Sequence, residues 1–140
     1  MKNKIILILL ILFTSNIFAQ NTRIKLTFNN NEIYATITNS KSANDFLSQL
    51  PITLEIKDYN LTEKIGYLNK KLNIDNEPDG ITPKIGDITY FAPWGNIAIF
   101  YKDFRYSKNL IYLGRFENVK DIEKLLNIKY DFNMNIEIVK

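Results

Sequence analysis

Glu63 and Lys64 stand side by side, Arg105 sits between Phe104 and Tyr106, and Asp58, Asp87 and Asp103 are spread around them. The chemistry must come from groups of these kinds, because the chain has no histidine and no cysteine. Cysteine nucleophiles, Ser-His-Asp relays, thiol redox chemistry and His-ligated zinc or haem are thereby excluded. Carboxylate, tyrosine, lysine or serine chemistry is left, or binding without catalysis. Hydrolysis by paired carboxylates needs two acids held close together, one of them with a raised pKa. Asp58, Glu63, Asp87 and Asp103 supply the groups, but spacing alone does not bring them together, and Asp58 and Asp87 suit turns equally well. No catalytic residue is assigned.

Asp75-Asn76-Glu77-Pro78-Asp79-Gly80 opens like a calcium loop, with oxygen ligands at alternate positions and a glycine at the sharp turn. The pattern then fails. Its twelfth position is Gly86 where a bidentate glutamate belongs, and Pro83 interrupts the run. A solvated acidic loop is expected there, with no metal and no cofactor.

The aromatic residues are more suggestive. Tyr90, Phe91, Trp94, Phe100, Tyr101, Phe104 and Tyr106 fall within a short span that includes the only tryptophan. Strand alternation sends Ile88 and Tyr90 to one face and Phe91 to the other, and separates Phe100 from Tyr101. Some of these rings belong to the core and the rest to a pocket wall. Asn96, Lys64 and Glu63 would supply its polar contacts. For Trp94, core packing and a place on a pocket wall both remain open.

Local patterns define the elements that position these side chains. Thr22 to Phe28 alternates as a half-buried strand, Asn29-Asn30-Asn31 forms a turn, and Glu32 to Thr38 alternates again. Ser42 or Asn44 can cap a short helix that Pro51 ends. Ile52, Leu54 and Ile56 begin a strand, and Lys64 to Leu68 another. A polar stretch from Asn69 to Ile81 contains the Pro78-Asp79-Gly80 turn. Thr82 to Asp103 contains two apolar strands folded about Ala92-Pro93-Trp94-Gly95-Asn96, and Lys102 to Asn109 reads as a loop. Leu110 to Phe116 is a strand, Asp121 caps a one- to two-turn helix, and Met134, Ile136 and Ile138 close the chain. The pattern predicts a mainly β protein, a small closed barrel of about eight strands with two short helices.

The first residues predict export. Lys2 and Lys4 precede an apolar run from Ile5 to Phe13, and Ile17-Phe18-Ala19 leads to Gln20. This is the plan of a signal peptide over 1–19, leaving one domain over 20–140 in a periplasm or outside the cell. Loss of Lys2 and Lys4 lowers the formal charge from +3 to +1, and the remaining basic residues are scattered. Nucleic acid is not expected as a partner, nor a membrane once the leader is removed. Without disulfides, the exported domain must be held by packing alone, as a monomer.

The succession Leu50-Pro51, Glu63-Lys64-Ile65-Gly66-Tyr67-Leu68, Gly86-Asp87-Ile88, Pro93-Trp94-Gly95-Asn96 and Phe100-Tyr101 resembles the bacterial cyclophilin-like domain family. The resemblance runs from about Arg23 to the end of the chain, although Asn69 stands where relatives often have proline. It implies a cyclophilin-type barrel and no particular activity. In the prolyl isomerases of that fold an arginine lies in a Phe-His-Arg strand. The strand most like it here, Glu63-Lys64-Ile65-Gly66, has neither His nor Arg. Isomerisation must lower a barrier of about 18–20 kcal/mol, and a lysine is a poor replacement for a planar guanidinium. Arg105 is the remaining candidate, and stacking on a neighbouring ring is its ordinary alternative.

The resulting expectation is a non-catalytic module that binds a small molecule or a peptide segment. Its site would be formed by Glu63, Lys64, Tyr90, Trp94, Asn96, Tyr101, Phe104, Arg105 and Tyr106. A residual prolyl isomerase and an envelope protein-interaction module are the rivals.

Overall fold

The described residues form ten strands, eight of which close a barrel. The structure, a computed structural model, describes residues 20–140, so the leader expected over 1–19 lies outside the described residues. β1 (Thr22–Phe28) and β2 (Asn31–Ile37) send Ile24, Leu26, Phe28, Ile33, Ala35 and Ile37 inward. Asn29 and Asn30 join them with positive φ, the hand that matches the twist of a two-residue hairpin.

The helix α1 (Lys41–Ser48) is capped by Ser40, whose hydroxyl accepts from the Ala43 amide at 3.1 Å. The expectation of Ser42 or Asn44 as cap is corrected. Ser42 lies inside the helix, fully buried, and its hydroxyl donates to Glu77. The helix lies between β2 and β3 (Ile52–Tyr59) in the chain and sends Ala43 and Phe46 into the barrel core.

β4 (Glu63–Tyr67), β6 (Asp87–Phe91), β7 (Asn96–Phe100) and β9 (Leu110–Phe116) follow. A 3₁₀ turn over Val119–Asp121 leads into α2 (Ile122–Leu126), and β10 (Phe132–Ile138) closes the chain. The cap at this second helical segment is Asn118, which accepts from the Lys120 amide; the Asp121 side chain makes no capping bond. The barrel order is β1-β10-β3-β4-β7-β6-β9-β2, every pair antiparallel. Two short strands, β5 (Gly80–Ile81) and β8 (Ser107–Lys108), pair separately, within segments expected to be a polar stretch and a loop. Each contributes two residues, too few for any alternating pattern to reveal.

Most strands bury one face, but β7 is buried at every position. Its inward residues Ile97 and Ile99 join the barrel core, while Ala98 and Phe100 face outward. There, with Ile65 and Leu110, they form a second apolar cluster, against which Ile81, Phe91 and Phe104 pack. The β5–β8 ribbon and the segment leading to it thus give this one outer face a partial cover.

Barrel closure depends on a close approach at Gly114, opposite Ile37 in the β2–β9 pairing. A Cβ at this position would lie 2.2 Å from the Thr36 carbonyl oxygen and 2.9 Å from the Ile37 Cα. These are backbone atoms of the ladder and cannot rotate away. Gly114→Ala is therefore expected to cost about 2–3 kcal/mol, in the range of an overpacked interior. Urea unfolding of both proteins measures it, and an unchanged midpoint would contradict so tight a β2–β9 contact.

Candidate functional site

The incomplete cover over the second cluster leaves a cleft of about 270 Å³ on the outside of the barrel. Ile65, Phe100 and Leu110 form its floor, and they face outward because each alternates with a residue of the barrel interior. The walls come from the turns. Gly95, at φ +71, lets the β6–β7 turn close, with its amide donating to the Phe91 carbonyl at 2.9 Å. Trp94 then reaches from this turn toward β3. Its ring is edge-on to Phe91 and to Tyr59, with centroids 5.3 and 5.4 Å away. Trp94 remains 48% exposed, so it is a wall and not core.

On the far side, Phe104 lies nearly parallel to Phe100, with centroids 6.4 Å apart. The Arg105 guanidinium is 4.5 Å from the Phe104 ring centroid. Arg105 is exposed and lines the cleft, an arginine stacked on the lip and not a buried donor.

Two polar groups are more unusual. Asn96, 2% exposed, lines the cleft from the start of β7. Its Nδ2 donates to the Ile97 carbonyl at 3.2 Å, but its Oδ1 is buried without a hydrogen-bond partner. Such an orphaned acceptor costs about 1–3 kcal/mol. Glu63 lines the opposite end and is half-buried. Burial first, and then the negative charge of Asp58, raise its pKa to about 7.

The neighbouring Lys64 has a different fate. Glu63 pairs with Phe100 and faces outward, whereas Lys64 pairs with Ile99 and turns to the other side of the sheet. There its Nζ donates to the Ile128 carbonyl at 3.2 Å and lies 3.4 Å from Asp58. Tyr101 also donates to Asp58 and lies beneath the Lys64 ammonium, 5.7 Å from centroid to nitrogen. Burial works against the Asp58 carboxylate, but the Tyr101 hydrogen bond and the Lys64 charge outweigh it and hold its pKa below the ordinary range. Burial, reinforced by the Asp58 hydrogen bond, raises that of Tyr101.

The structure thus gathers Glu63, Trp94, Asn96, Phe104 and Arg105 around one cleft and places four of the expected residues elsewhere. Lys64 and Tyr101 belong to the ion-paired cluster on the other side of the sheet. Tyr90 is 1% exposed in the barrel core, its hydroxyl accepting from the Leu72 amide. Tyr106 is exposed and packs over Gly80, outside the cleft. The sequence reading did not include Tyr59, Asn60, Ile65, Phe91, Phe100, Ser107 and Leu110 among the site residues. Alternation within their strands would have singled out Ile65, Phe91 and Phe100. Tyr59 depends on the length of β3, which nothing in the pattern beyond Ile56 reveals.

A small antiparallel barrel with an apolar cleft on its outer face defines the class of protein. The chain belongs to the cyclophilin-like family, whose model matches residues 26–137. Among solved structures it is similar to a hypothetical protein from Archaeoglobus fulgidus determined in solution, at 16% identity and a TM-score of 0.62. That similarity covers 89% of this chain and 99% of the archaeal one. At such identity it shows the fold alone. No curated relative matches the chain.

The Glu63 environment makes a prediction about stability. With its folded pKa at about 7 and an ordinary value of 4.5, the folded state takes up a proton between these limits. Stability from this residue is therefore greatest below about pH 4.5 and falls as pH rises toward 7 and beyond. Glu63→Gln should match the parent protein at low pH. At pH 8 it should exceed the parent by about 1–2 kcal/mol, after allowance for partial exposure to solvent. Denaturant unfolding at pH about 5 and about 8 tests this, and a constant difference between the two would contradict it.

Proposed function

We propose that this protein is an exported binding module that takes a small molecule or a short peptide segment into the outer cleft and performs no chemistry on it. The observation behind the reading is Asn96, which lines an aromatic-walled cleft and whose Oδ1 is buried without a hydrogen-bond partner. Native interiors satisfy nearly all their buried polar groups, so an exception on a residue that lines a cleft is consistent with a donor brought by a ligand. Apolar walls with a few convergent polar groups are the usual composition of such a site. Export is supported by the basic start and apolar run at the amino terminus, and the periplasm or the exterior follows from it.

One observation favours a second reading, a residual prolyl isomerase. Arg105 places a guanidinium on the lip of an apolar cleft, where a twisted amide would be held. Against it, the guanidinium is exposed and its orientation rests on Phe104 alone.

An amide NMR titration of residues 20–140 with an Ala-Pro peptide separates these readings. The Trp94 indole signal and the cis–trans exchange of the peptide are followed together. Shifts at Trp94 without accelerated exchange are the expected result for a binding module. Accelerated exchange that disappears in Arg105→Ala would replace it with the isomerase.

A further inference from the structure

The two polar groups that the cleft leaves unpartnered are both acceptors. Asn96 Oδ1 has no donor, and among the described residues the Glu63 carboxylate makes neither an ion pair nor a side-chain hydrogen bond. The groups around Glu63 explain why. From its own strand, Lys64 turns away to Asp58 and Ile128. From β3 come Asp58, already held by Lys64 and Tyr101, and Tyr59. From β7 comes Phe100, which carries no charge. Arg105 rests over Phe104 at the lip and does not act on the Glu63 carboxylate. An acid without a counter-charge thus lies between Tyr59 and Phe100 in the ladder and lines the same cleft as Ile65 and Trp94.

Resting on the binding reading above, we infer that the cleft takes a small organic ammonium ion, with the charged nitrogen at Glu63 and an apolar ring between the aromatic walls. A second N–H or O–H donor at its far end would reach Asn96 Oδ1. Aromatic faces attract cations, and they do so more strongly when water is excluded. Both unpartnered groups require donors, and an ammonium supplies them together with the missing charge. The size is consistent. Glu63 faces Phe100, four residues along β7 from Asn96, about 13 Å at the rise of a strand. A volume of about 270 Å³ accommodates roughly nine non-hydrogen atoms at the volume each water occupies in the liquid. The ammonium is available from a free amine or from a lysine side chain of a peptide, whose methylene stem would then take the place of the ring.

Isothermal titration of residues 20–140 with tyramine tests the inference. Phenethylamine (no hydroxyl), tyrosol (no ammonium) and 4-hydroxyphenylacetate (opposite charge) serve as matched controls. Tyramine should bind most tightly, phenethylamine next, and the two ligands without an ammonium at least tenfold more weakly. Only ionised Glu63 pairs with the ammonium, and that fraction rises from about a tenth at pH 6 to about nine-tenths at pH 8. Tyramine affinity should therefore rise about tenfold across this interval, and the rise should vanish in Glu63→Gln. Nα-acetyl-lysine amide distinguishes the source: binding tighter than tyramine assigns the ammonium to a peptide lysine, weaker binding to a free amine. Binding of tyrosol or 4-hydroxyphenylacetate as tight as that of tyramine overturns the ammonium assignment and leaves a binding module standing. An unchanged tyramine affinity in Glu63→Gln also overturns it. Silence from the whole series overturns it as well, and the binding reading then depends on the peptide titration alone.

Discussion

The two-sided burial of β7 is the constraint on which the rest of this structure depends. A strand in a closed barrel always has one face inside, and Ile97 and Ile99 fill it. Asn-Ile-Ala-Ile-Phe has no polar residue to offer solvent on the other face except Asn96 at its start. The outer face of β7 must therefore be covered, and the chain supplies Phe104, Ile81 and the β5–β8 ribbon for that purpose. Because the ribbon is short, the cover stops before the floor does. The cleft is what the cover leaves open.

The same alternation divides the electrostatics. Glu63 and Lys64 are adjacent in sequence, so a strand sends them to opposite faces of the sheet. Lys64 becomes part of a satisfied cluster with Asp58, Tyr101 and the Ile128 carbonyl. Glu63 is left among rings without the partner that its neighbour could have been. A helix would have left the pair on adjoining faces and within reach of common partners. The unpaired acid is thus a product of strand geometry and not of a shortage of cations, which outnumber acids in the chain.

Much of this was legible beforehand, for identifiable reasons. Half-buried strands such as β1, β2 and β10 announce themselves by period-two alternation, and the Asn29-Asn30 turn by residues that tolerate positive φ. The family resemblance rested on five short segments, the Trp94 turn among them, and the family match extends over residues 26–137. What could not be read was the phase of the aromatic span relative to the barrel. Tyr90 and Phe91 are equally aromatic, yet one is core and the other wall. Only the ladder registers decide between them. The caps were misassigned by a few residues for a related reason. Ser40, Ser42 and Asn44 all have capping side chains, and the one chosen is that whose backbone is extended at the helix entrance.

The closed ladder also determines how this cleft can diversify. Among the described residues every barrel strand is paired on both sides, so the barrel itself offers no free edge to add a ligand as a further strand. The only open edges among these residues belong to the two-residue strands of the β5–β8 ribbon. On the binding reading proposed above, recognition would fall to side chains rooted in a scaffold that does not itself take part. If the cleft binds as proposed, replacing Tyr59, Glu63 or Trp94 would alter what is recognised and leave the hydrogen-bonded cylinder intact. On that reading the architecture separates inheritance of the fold from inheritance of a ligand, so two chains could share every strand and bind nothing in common.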